Sequence, residues 1–346
     1  MSPIAKTILL GLALALPAAL AGAQALEPVH VGIVPSTATG GLYIAKEKGY
    51  FQALGLDVEL ENVASASQMQ AMLATNRIQV LGGAVTVGLI NGIAGGLPAK
   101  IYYTLSQNPS GHVILLRPDL AGTVKTAADL KGRSLALNGR GTTDDYQAAE
   151  FLGSGGLSFD DVEIKIIPLP GMAAALENKG IDAAMMFPPL STVAMGKKLG
   201  VRWAEPEDHL RVQPLLIAAG QFNTDWAKSK EKAARAFLEG IVKGTREYCE
   251  AYHGGANRPE VVKILAKYTT VHDPQLIERM EWGSSDPQGR IPTDSVMAFQ
   301  KLELAEKQIE TVLPIEQLVE SAWVRAAAQK LGPFNLAHDD GKPGCR

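Results

Sequence analysis

Four turns in this sequence carry the residue types best suited to hold a small molecule, because each follows an apolar run and precedes a helical pattern. The N–H groups that open a helix lack intrahelical partners, and together with the helix dipole they favour negative charge. Hydroxyl groups in such turns can add hydrogen bonds. The candidate ligand-binding residues in the first three turns are Ser36, Thr37 and Thr39; Ala84, Val85 and Thr86; and Arg140, Gly141, Thr142, Thr143 and Asp144.

We expect the turn at 139–144 to hold the acidic group of a ligand, since Arg140 adds a full positive charge beside Thr142 and Thr143. The alternative is that the threonines only cap a helix, which contributes about 1 kcal/mol per cap without any ligand. In that case Arg140 is a solvated loop charge. Gly139 and Gly141 either relieve strain in the turn or let the backbone approach a ligand closely.

The fourth turn, Phe187-Pro188-Pro189, offers an aromatic face on which a ligand could stack. Phe187 could instead be an ordinary core aromatic residue. Asn108, in the segment 106–111, could hydrogen-bond a solute or serve only as a turn residue. Phe187, Pro188 and Asn108 complete the candidate binding residues.

The usual enzyme signatures are missing from the sequence: it contains no Gly-x-Ser-x-Gly elbow, no His-Glu-x-x-His pair and no Gly-x-x-x-x-Gly-Lys-Ser/Thr loop. No metal-ligand spacing relates its histidines, which are His30, His112, His209, His253, His272 and His338. We therefore predict a binding protein that is not an enzyme and needs no metal or cofactor. An exported α/β hydrolase is the alternative from a different class.

The elements that must position these turns alternate between β-branched runs and helical patterns, which is typical of parallel sheets built from βαβ units. The pattern occurs in two blocks and becomes wholly helical after residue 225. We predict strands at 29–34, 56–63, 78–84, 100–105, 133–138, 162–168, 182–187 and 201–205. We predict helices at 42–51, 69–75, 87–95, 143–153, 172–179, 191–198, 225–252, 258–268, 274–282, 294–308 and 315–331.

Two further apolar runs, 112–118 and 212–220, separate the blocks, and we interpret them as strands that cross between two lobes. The predicted fold is α/β, with each lobe a sheet flanked by helices. Residues 26–113 and 218–346 would form a discontinuous first lobe, and residues 114–217 the second. Two crossings make a hinge, and a hinge between lobes makes a cleft that can close on a ligand.

The N-terminus resembles a Sec-type signal peptide, because Lys6 precedes an apolar run at 8–20 that ends in Ala23-Gln24-Ala25. The run is shorter than the roughly 20 residues that a membrane-spanning helix needs. We predict that residues 1–25 are removed after Ala25. The residue directly after this point is Leu26 and not a cysteine, so we expect a free periplasmic protein without a lipid anchor.

The formal net charge is −3, and removal of residues 1–25, which contain one Lys, makes it one unit more negative. This mildly acidic balance is a poor match for nucleic acid, and we expect a monomer. The only cysteines, Cys249 and Cys345, could form a disulfide in an oxidising compartment or remain unpaired thiols.

Four segments, in the same order along the chain, resemble periplasmic binding proteins for nitrate, sulfonates, taurine and thiamine-pyrimidine precursors. They are GLYIAKEKGYFQALGLDVEL (41–60), MLATNRIQVLGGA (72–84), DLKGRSLALNGRGTTDDY (129–146) and MAAALENKGIDAAMMFPP (172–189). The resemblance implies a two-lobed periplasmic binding protein fold (type II) with the ligand in the interlobe cleft. At Pro188 the sequence departs from the Trp-Asp-Pro pattern of related proteins, which disfavours amino-sulfonates.

This resemblance predicts the solute-binding component of an ABC importer, whose partners are a small-molecule ligand and a membrane permease. We expect a small anionic organic ligand, either a sulfonate or an aromatic or aliphatic carboxylate. A periplasmic sensory protein that hands its ligand to a receptor is a further alternative.

Overall fold

The computed structural model describes residues 25–63 and 66–346 and contains two five-stranded sheets. The predicted signal peptide falls on residues 1–25, nearly all of which lie outside the described residues. The first sheet has the strand order β2-β1-β3-β10-β4, in which β10 runs antiparallel to both neighbours. Its strands are β1 (Glu27–Ile33), β2 (Leu56–Asn62), β3 (Val80–Ala84), β4 (Ala99–Gln107) and β10 (Leu216–Asn223).

The second sheet has the order β7-β6-β8-β5-β9 and repeats this plan, with β6, β7 and β8 parallel and β5 antiparallel to β8. Its strands are β5 (Val113–Leu116), β6 (Ser134–Leu137), β7 (Glu163–Ile166), β8 (Ala183–Met186) and β9 (Val201–Ala204). The two sheets confirm the predicted α/β fold.

Helices cover both faces of each sheet, which explains why the inner strands β5, β6 and β8 are buried at every residue. The edge strand β2 instead alternates buried and exposed residues over its first half. The α-helices are α1 (Gly40–Glu47), α2 (Tyr50–Ala53), α3 (Ala66–Ala74), α4 (Val87–Ala94), α5 (Thr143–Ser154), α6 (Leu169–Glu177), α7 (Leu190–Gly196), α8 (Thr224–Ser229), α9 (Glu231–Tyr252), α10 (Arg258–Tyr268), α11 (Pro274–Arg279), α12 (Thr293–Ala305), α13 (Ile315–Leu318) and α14 (Ala322–Lys330). In the second sheet, Ile114 and Leu116 pack toward Phe151 of α5, whereas Val113 and Leu115 pack toward Met172 of α6.

The two runs expected to cross between lobes each belong to one sheet. The run 112–118 forms β5 of the second sheet, and 212–220 leads into β10 of the first. The chain therefore passes between the sheets just outside these strands, in the segments 108–112 and 205–215. Asn108 joins the two segments, because its backbone N–H donates to Leu215 O at 2.7 Å and its side-chain oxygen accepts from Leu215 N at 3.2 Å.

Three predicted helices are interrupted. The helix expected at 42–51 consists of α1 and α2, separated at Lys48 and Gly49, and Gly49 has a left-handed backbone with φ +70°. The helix expected at 225–252 consists of α8 and α9, separated at Lys230. The helix expected at 315–331 breaks into α13 and α14 because Val319 is extended and bridges Ile101 of β4. No helix among the described residues is both long and apolar enough to cross a membrane.

The C-terminal tail is fastened to α9 by a disulfide between Cys249 and Cys345, whose Cα atoms are 5.0 Å apart. The structure thus decides between the two alternatives that the sequence left open. Two hydrogen bonds add to this attachment: His253 Nδ1 lies 2.7 Å from Asp340 Oδ1, and Tyr252 donates to Pro343 O at 3.1 Å. The tail is consequently held at several points along α9.

Candidate functional site

A cavity of about 280 Å³ lies between the two sheets, at the edge where the parallel strands end. We call it the central cavity. The residues that line it are Val34, Ser36, Thr37, Ala38, Thr39, Gly82, Gly83, Ala84, Ser106, Asn108, Ser110, His112, Asn138, Thr142, Thr143, Asp144, Phe187, Pro188, Ile217, Ala218, Glu281 and Gly283. Most of them lie at or just beyond the ends of β1, β3, β4, β6 and β8, which is where open α/β sheets bind ligands. A wider groove of about 920 Å³ lies instead between α5, α12 and the chain around Arg211.

The first sheet contributes the turns after β1 and β3. In the turn that leads into α1, the Thr39 hydroxyl donates to Ser36 O at 2.7 Å, and Ser36 N donates to the Tyr43 hydroxyl at 3.4 Å. These bonds fix the turn, while Ser36, Thr37 and Thr39 all reach the cavity. Ala84 ends β3 and its side chain is exposed toward this space.

The second sheet contributes the start of α5. Thr142 is the N-cap residue, and its hydroxyl accepts from Asp144 N at 3.2 Å. Thr142 therefore both caps helix α5 and lines the cavity. Thr143 and Asp144 follow in the first turn and also line the cavity.

An aromatic pair forms part of the wall. The rings of His112 and Phe187 are stacked, with centroids 5.0 Å apart and planes 25° apart. His112 Nδ1 lies 3.0 Å from the side-chain oxygen of Gln147, which orients the imidazole. Burial lowers the pKa of His112 to about 4, so the ring is neutral at pH 7.

Among the residues that the structure describes, the only charged side chains in the cavity lining are the carboxylates of Asp144 and Glu281, and none is a Lys or an Arg. Burial raises the pKa of Asp144 to about 7, and the neighbouring carboxylate of Asp145 adds to this effect. Glu281 is about half exposed, and its carboxylate lies 3.5 Å from the Arg202 guanidinium. The wall therefore carries negative charge and otherwise offers hydroxyl, amide and apolar groups.

The structure brings together most of the candidate residues named from the sequence, namely Ser36, Thr37, Thr39, Ala84, Asn108, Thr142, Thr143, Asp144, Phe187 and Pro188. It places four outside the lining: Val85, Thr86, Arg140 and Gly141. Val85 is buried in the core, and Thr86 caps α4 by accepting from Leu89 N at 3.1 Å.

Arg140, expected to bind a ligand's acidic group, is bound to two carboxylates of the protein. Its Nε lies 3.0 Å from Asp145 Oδ2, and its Nη2 lies 3.1 Å from Glu306 Oε2. The guanidinium also lies over the Phe159 ring at 4.3 Å from its centroid. The guanidinium N–H groups of Arg140 thus donate to these partners outside the central cavity, and the two carboxylates balance its charge there.

Gly141 approaches the other half of the molecule rather than a ligand. Its carbonyl accepts from Val87 N at 2.9 Å, at the start of α4. Its φ is +69°, and a Cβ atom at this position would lie 3.0 Å from Val87 Cβ. The turn therefore requires glycine both for its left-handed backbone and for the close contact between the α4 and α5 ends.

Several residues of the wall were not predicted from the sequence, and of these His112 and Glu281 have the most distinctive chemistry. His112 precedes β5, and Glu281 follows α11 in the helical C-terminal part. Neither lies in a hydroxyl-rich turn between a strand and a helix, so no local pattern marks them.

A family model described as NMT1/THI5 like matches residues 36–251. The nitrate/nitrite binding protein NrtA of Nostoc sp. is 25% identical over 282 residues, which are 75% of this chain and 62% of that protein. The nitrate import ATP-binding protein NrtC of Synechocystis sp. is 26% identical over 263 residues, 71% of this chain and 38% of NrtC. The chain thus spans only about 38 to 62% of the length of these curated relatives.

Solved structures show the same fold. The periplasmic nitrate-binding protein NrtA of Synechocystis has a TM-score of 0.71 at 19% identity and covers 89% of each chain. The periplasmic aliphatic sulphonate binding protein SsuA of Escherichia coli has a TM-score of 0.68 at 16% identity, covering 85% of this chain and 92% of SsuA. The desulfurization enzyme DSZB, in complex with biphenyl-2-sulfinic acid, has a TM-score of 0.65 at 14% identity, with 88% of this chain and 99% of that one covered.

The matched segment holds the turns after β3, β6 and β8 that line the central cavity, and it makes up well over half of the chain. The resemblance noted in the four sequence segments is confirmed by this match. The two-sheet architecture is shared with the periplasmic nitrate-binding protein. The chain belongs to the NMT1/THI5-like family.

Proposed function

We propose that this protein is the solute-binding component of an ABC importer, working in the periplasm after removal of residues 1–25. The observation that carries the proposal is the central cavity, whose wall combines strand ends of both sheets. The lobes predicted as 26–113 with 218–346 and as 114–217 would move around the segments 108–112 and 205–215, which join the sheets. Their boundaries shift slightly, because β5 from Val113 onward belongs to the second sheet and β10 from Leu216 onward to the first. The similarity to nitrate-import proteins supports an ABC permease as the partner of a monomeric binding protein.

The expected anionic ligand depended mainly on Arg140. With that guanidinium bound to Asp145 and Glu306, the remaining support for an anion is the backbone N–H groups and hydroxyls near Thr142 and Thr143. Ligand charge is therefore the property that a binding screen should vary. Sulfonates and carboxylates form one arm of such a screen, and neutral and cationic solutes the others.

Binding and uptake together test the proposed function. Thermal unfolding of the purified mature protein should shift with a bound solute, since a ligand at 100 times its Kd stabilises by about 2.7 kcal/mol. Uptake of that solute should be lost on deletion of the gene and restored by the wild-type chain. A periplasmic sensor would bind the solute and leave uptake unchanged.

A matched pair of variants ties uptake to the cavity. Ala84→Phe places a large side chain in the cavity wall, whereas Ala326→Phe places the same side chain on the exposed face of α14. We expect the first variant to abolish both binding and uptake and the second to preserve them. Normal uptake with Ala84→Phe would contradict the proposed site.

Mass spectrometry of the exported protein should find Leu26 as its first residue.

The same fold also serves the desulfurization enzyme DSZB. Both cysteines of the present chain are joined in the disulfide on α9, so the central cavity has no thiol nucleophile. We propose that the solute is bound without turnover. Recovery of unchanged solute from the complex is the corresponding measurement.

A further inference from the structure

The charge of the central cavity limits the kind of ligand that it can hold. Within residues 25–63 and 66–346, its ionisable lining groups are Asp144, Glu281 and His112, and the imidazole of His112 is neutral at pH 7. An acidic ligand group enclosed here would face two carboxylates and no cationic side chain. The wall is thus electrostatically suited to a positive group rather than a negative one.

Asp144 is the carboxylate in this wall that has no partner in the described part of the chain. Glu281 lies near Arg202, and Asp145, the next residue along α5, accepts from Gly141 N and from Arg140 Nε. Asp144 has a backbone contact, from its own N–H to the Thr142 hydroxyl, but its side-chain oxygens make no hydrogen bond or ion pair within residues 25–63 and 66–346. A carboxylate enclosed without a partner is unfavourable, so a ligand that supplies donors there gains affinity.

The rest of the wall limits the shape of such a ligand. Phe187, stacked on His112, presents an aromatic surface, and Ile217, Ala218 and Val34 add apolar contacts. The space of about 280 Å³ is near the lower end of the range for ligand pockets. A compact molecule with one flat apolar part and one donor-rich end fits this arrangement.

We infer that the bound solute is a small organic cation whose nitrogen group, an amidinium or ammonium, pairs with the Asp144 carboxylate while its apolar part packs on Phe187. This inference rests on the proposed function, since it assumes that solute binds in the central cavity. It assigns the choice of ligand charge to Asp144.

Matched probes test the inference directly. Benzamidinium, benzamide and benzoate share one ring and differ in charge, and benzylammonium adds a second cation. Calorimetric titration at pH 8, where the Asp144 carboxyl is ionised, should give the cations at least tenfold tighter binding than benzamide and no binding of benzoate. Tighter binding of benzoate than of benzamidinium would overturn the inference, and so would failure of both cations to bind.

Two variants locate the effect. Asp144→Asn should remove the preference for the cations and raise their Kd about tenfold or more. Asp160→Asn, which removes the same charge from an exposed site outside the cavity, should leave the Kd unchanged. Thermal unfolding of each unliganded variant verifies that it is folded. An unchanged Kd in folded Asp144→Asn would contradict the assigned role.

The pH dependence gives an independent readout. Since the cation needs the ionised carboxylate, binding must release a proton below pH 7, and the Kd should rise about tenfold per pH unit there in the wild type. The other titratable groups that line or adjoin the cavity at the Asp144 carboxylate are His112, Glu281 and Asp145. Asp144→Asn should flatten the profile, whereas an unaltered profile would overturn the inference. Because the uptake measurement uses none of these probes, it judges the proposed function separately.

Discussion

Arg140 Nη2 lies 3.1 Å from Glu306 Oε2, which joins the loop after β6 in the second sheet to the end of helix α12. Helix α12 packs on the first sheet through Val296 and Phe299. The ion pair therefore connects the two halves of the molecule. Together with the Val87 N to Gly141 O bond, it holds the halves in contact beside the central cavity.

Glu306→Gln should favour an open arrangement. The pair is partly buried, so its loss is expected to cost about 1 kcal/mol, or roughly a fivefold change in the ratio of open to closed forms. Small-angle scattering of the unliganded protein should show a larger radius of gyration. Glu310→Gln, which removes an exposed charge nearby, is the control. Identical scattering from both variants would argue against the pair as a closing contact.

Phe187→Ala should weaken solute binding by roughly tenfold to a hundredfold, because it removes an aromatic surface from the wall and leaves the His112 ring without its stacking partner. Phe187→Leu keeps most of the volume and should lose less affinity. Calorimetry with the identified solute measures both. Equal affinity of the alanine variant and the wild type would place Phe187 outside the binding contacts.

Glu303→Gln should change how stability depends on pH. The Glu303 side chain is fully buried, both its carboxylate oxygens lack hydrogen-bond partners in the described chain, and burial raises its pKa to about 8. Asp145 and Glu306 raise this pKa further, while Arg140 lowers it. Because the folded-state pKa exceeds the unfolded value, stability is greatest below the unfolded pKa and is lost as pH rises toward 8.

The variant should therefore be more stable than the wild type at pH 8, by on the order of 1 kcal/mol, and the advantage should shrink toward pH 5. Urea unfolding across this range measures the difference. Comparing Glu303→Gln with the wild type at the same pH cancels the contributions that titration of Asp144 and His112 makes to the free energy of unfolding. A constant difference at all pH values would contradict a titrating Glu303.

Cys345→Ser should lower the free energy of unfolding by about 2–4 kcal/mol, since the disulfide closes a long stretch of chain and constrains the unfolded state. Reduction of the wild type should produce a similar loss. Cys249→Ser/Cys345→Ser, measured under oxidising conditions, excludes effects of a remaining thiol. Full stability of the double variant would mean that the contacts of His253 and Tyr252 with the tail suffice.

The sequence predicted the sheets and helices well because each has a clear period, and helix α10 begins and ends at the predicted residues 258 and 268. The extended Val319 was missed because its bridge to Ile101, and not local preference, sets its conformation. The break at Lys230 was missed as well. Likewise, nothing near Arg140 in the sequence indicated Glu306 as its partner. Residues 166 positions apart meet only once the two halves are packed together.

The wall of the cavity was only partly predictable for the same reason. The turns after β1, β3, β6 and β8 could be predicted, since parallel strands end at a common edge. Glu281 reaches the cavity from the loop after α11, whose position depends on how the helical C-terminal part folds back. The Glu281 carboxylate makes the cavity more negative and therefore affects which ligand charge the cavity suits.

The contacts Val87–Gly141 and Arg140–Glu306 are made by residues outside the cavity lining. Under the proposed function, recognition and closure would thus be encoded at separate positions of the chain. We expect that Phe187 or Ala84 could be exchanged to accept a new solute without disturbing these two contacts. This separation makes the protein a convenient scaffold for a biosensor, in which dyes attached to the two halves would report closure around whichever solute the redesigned wall accepts.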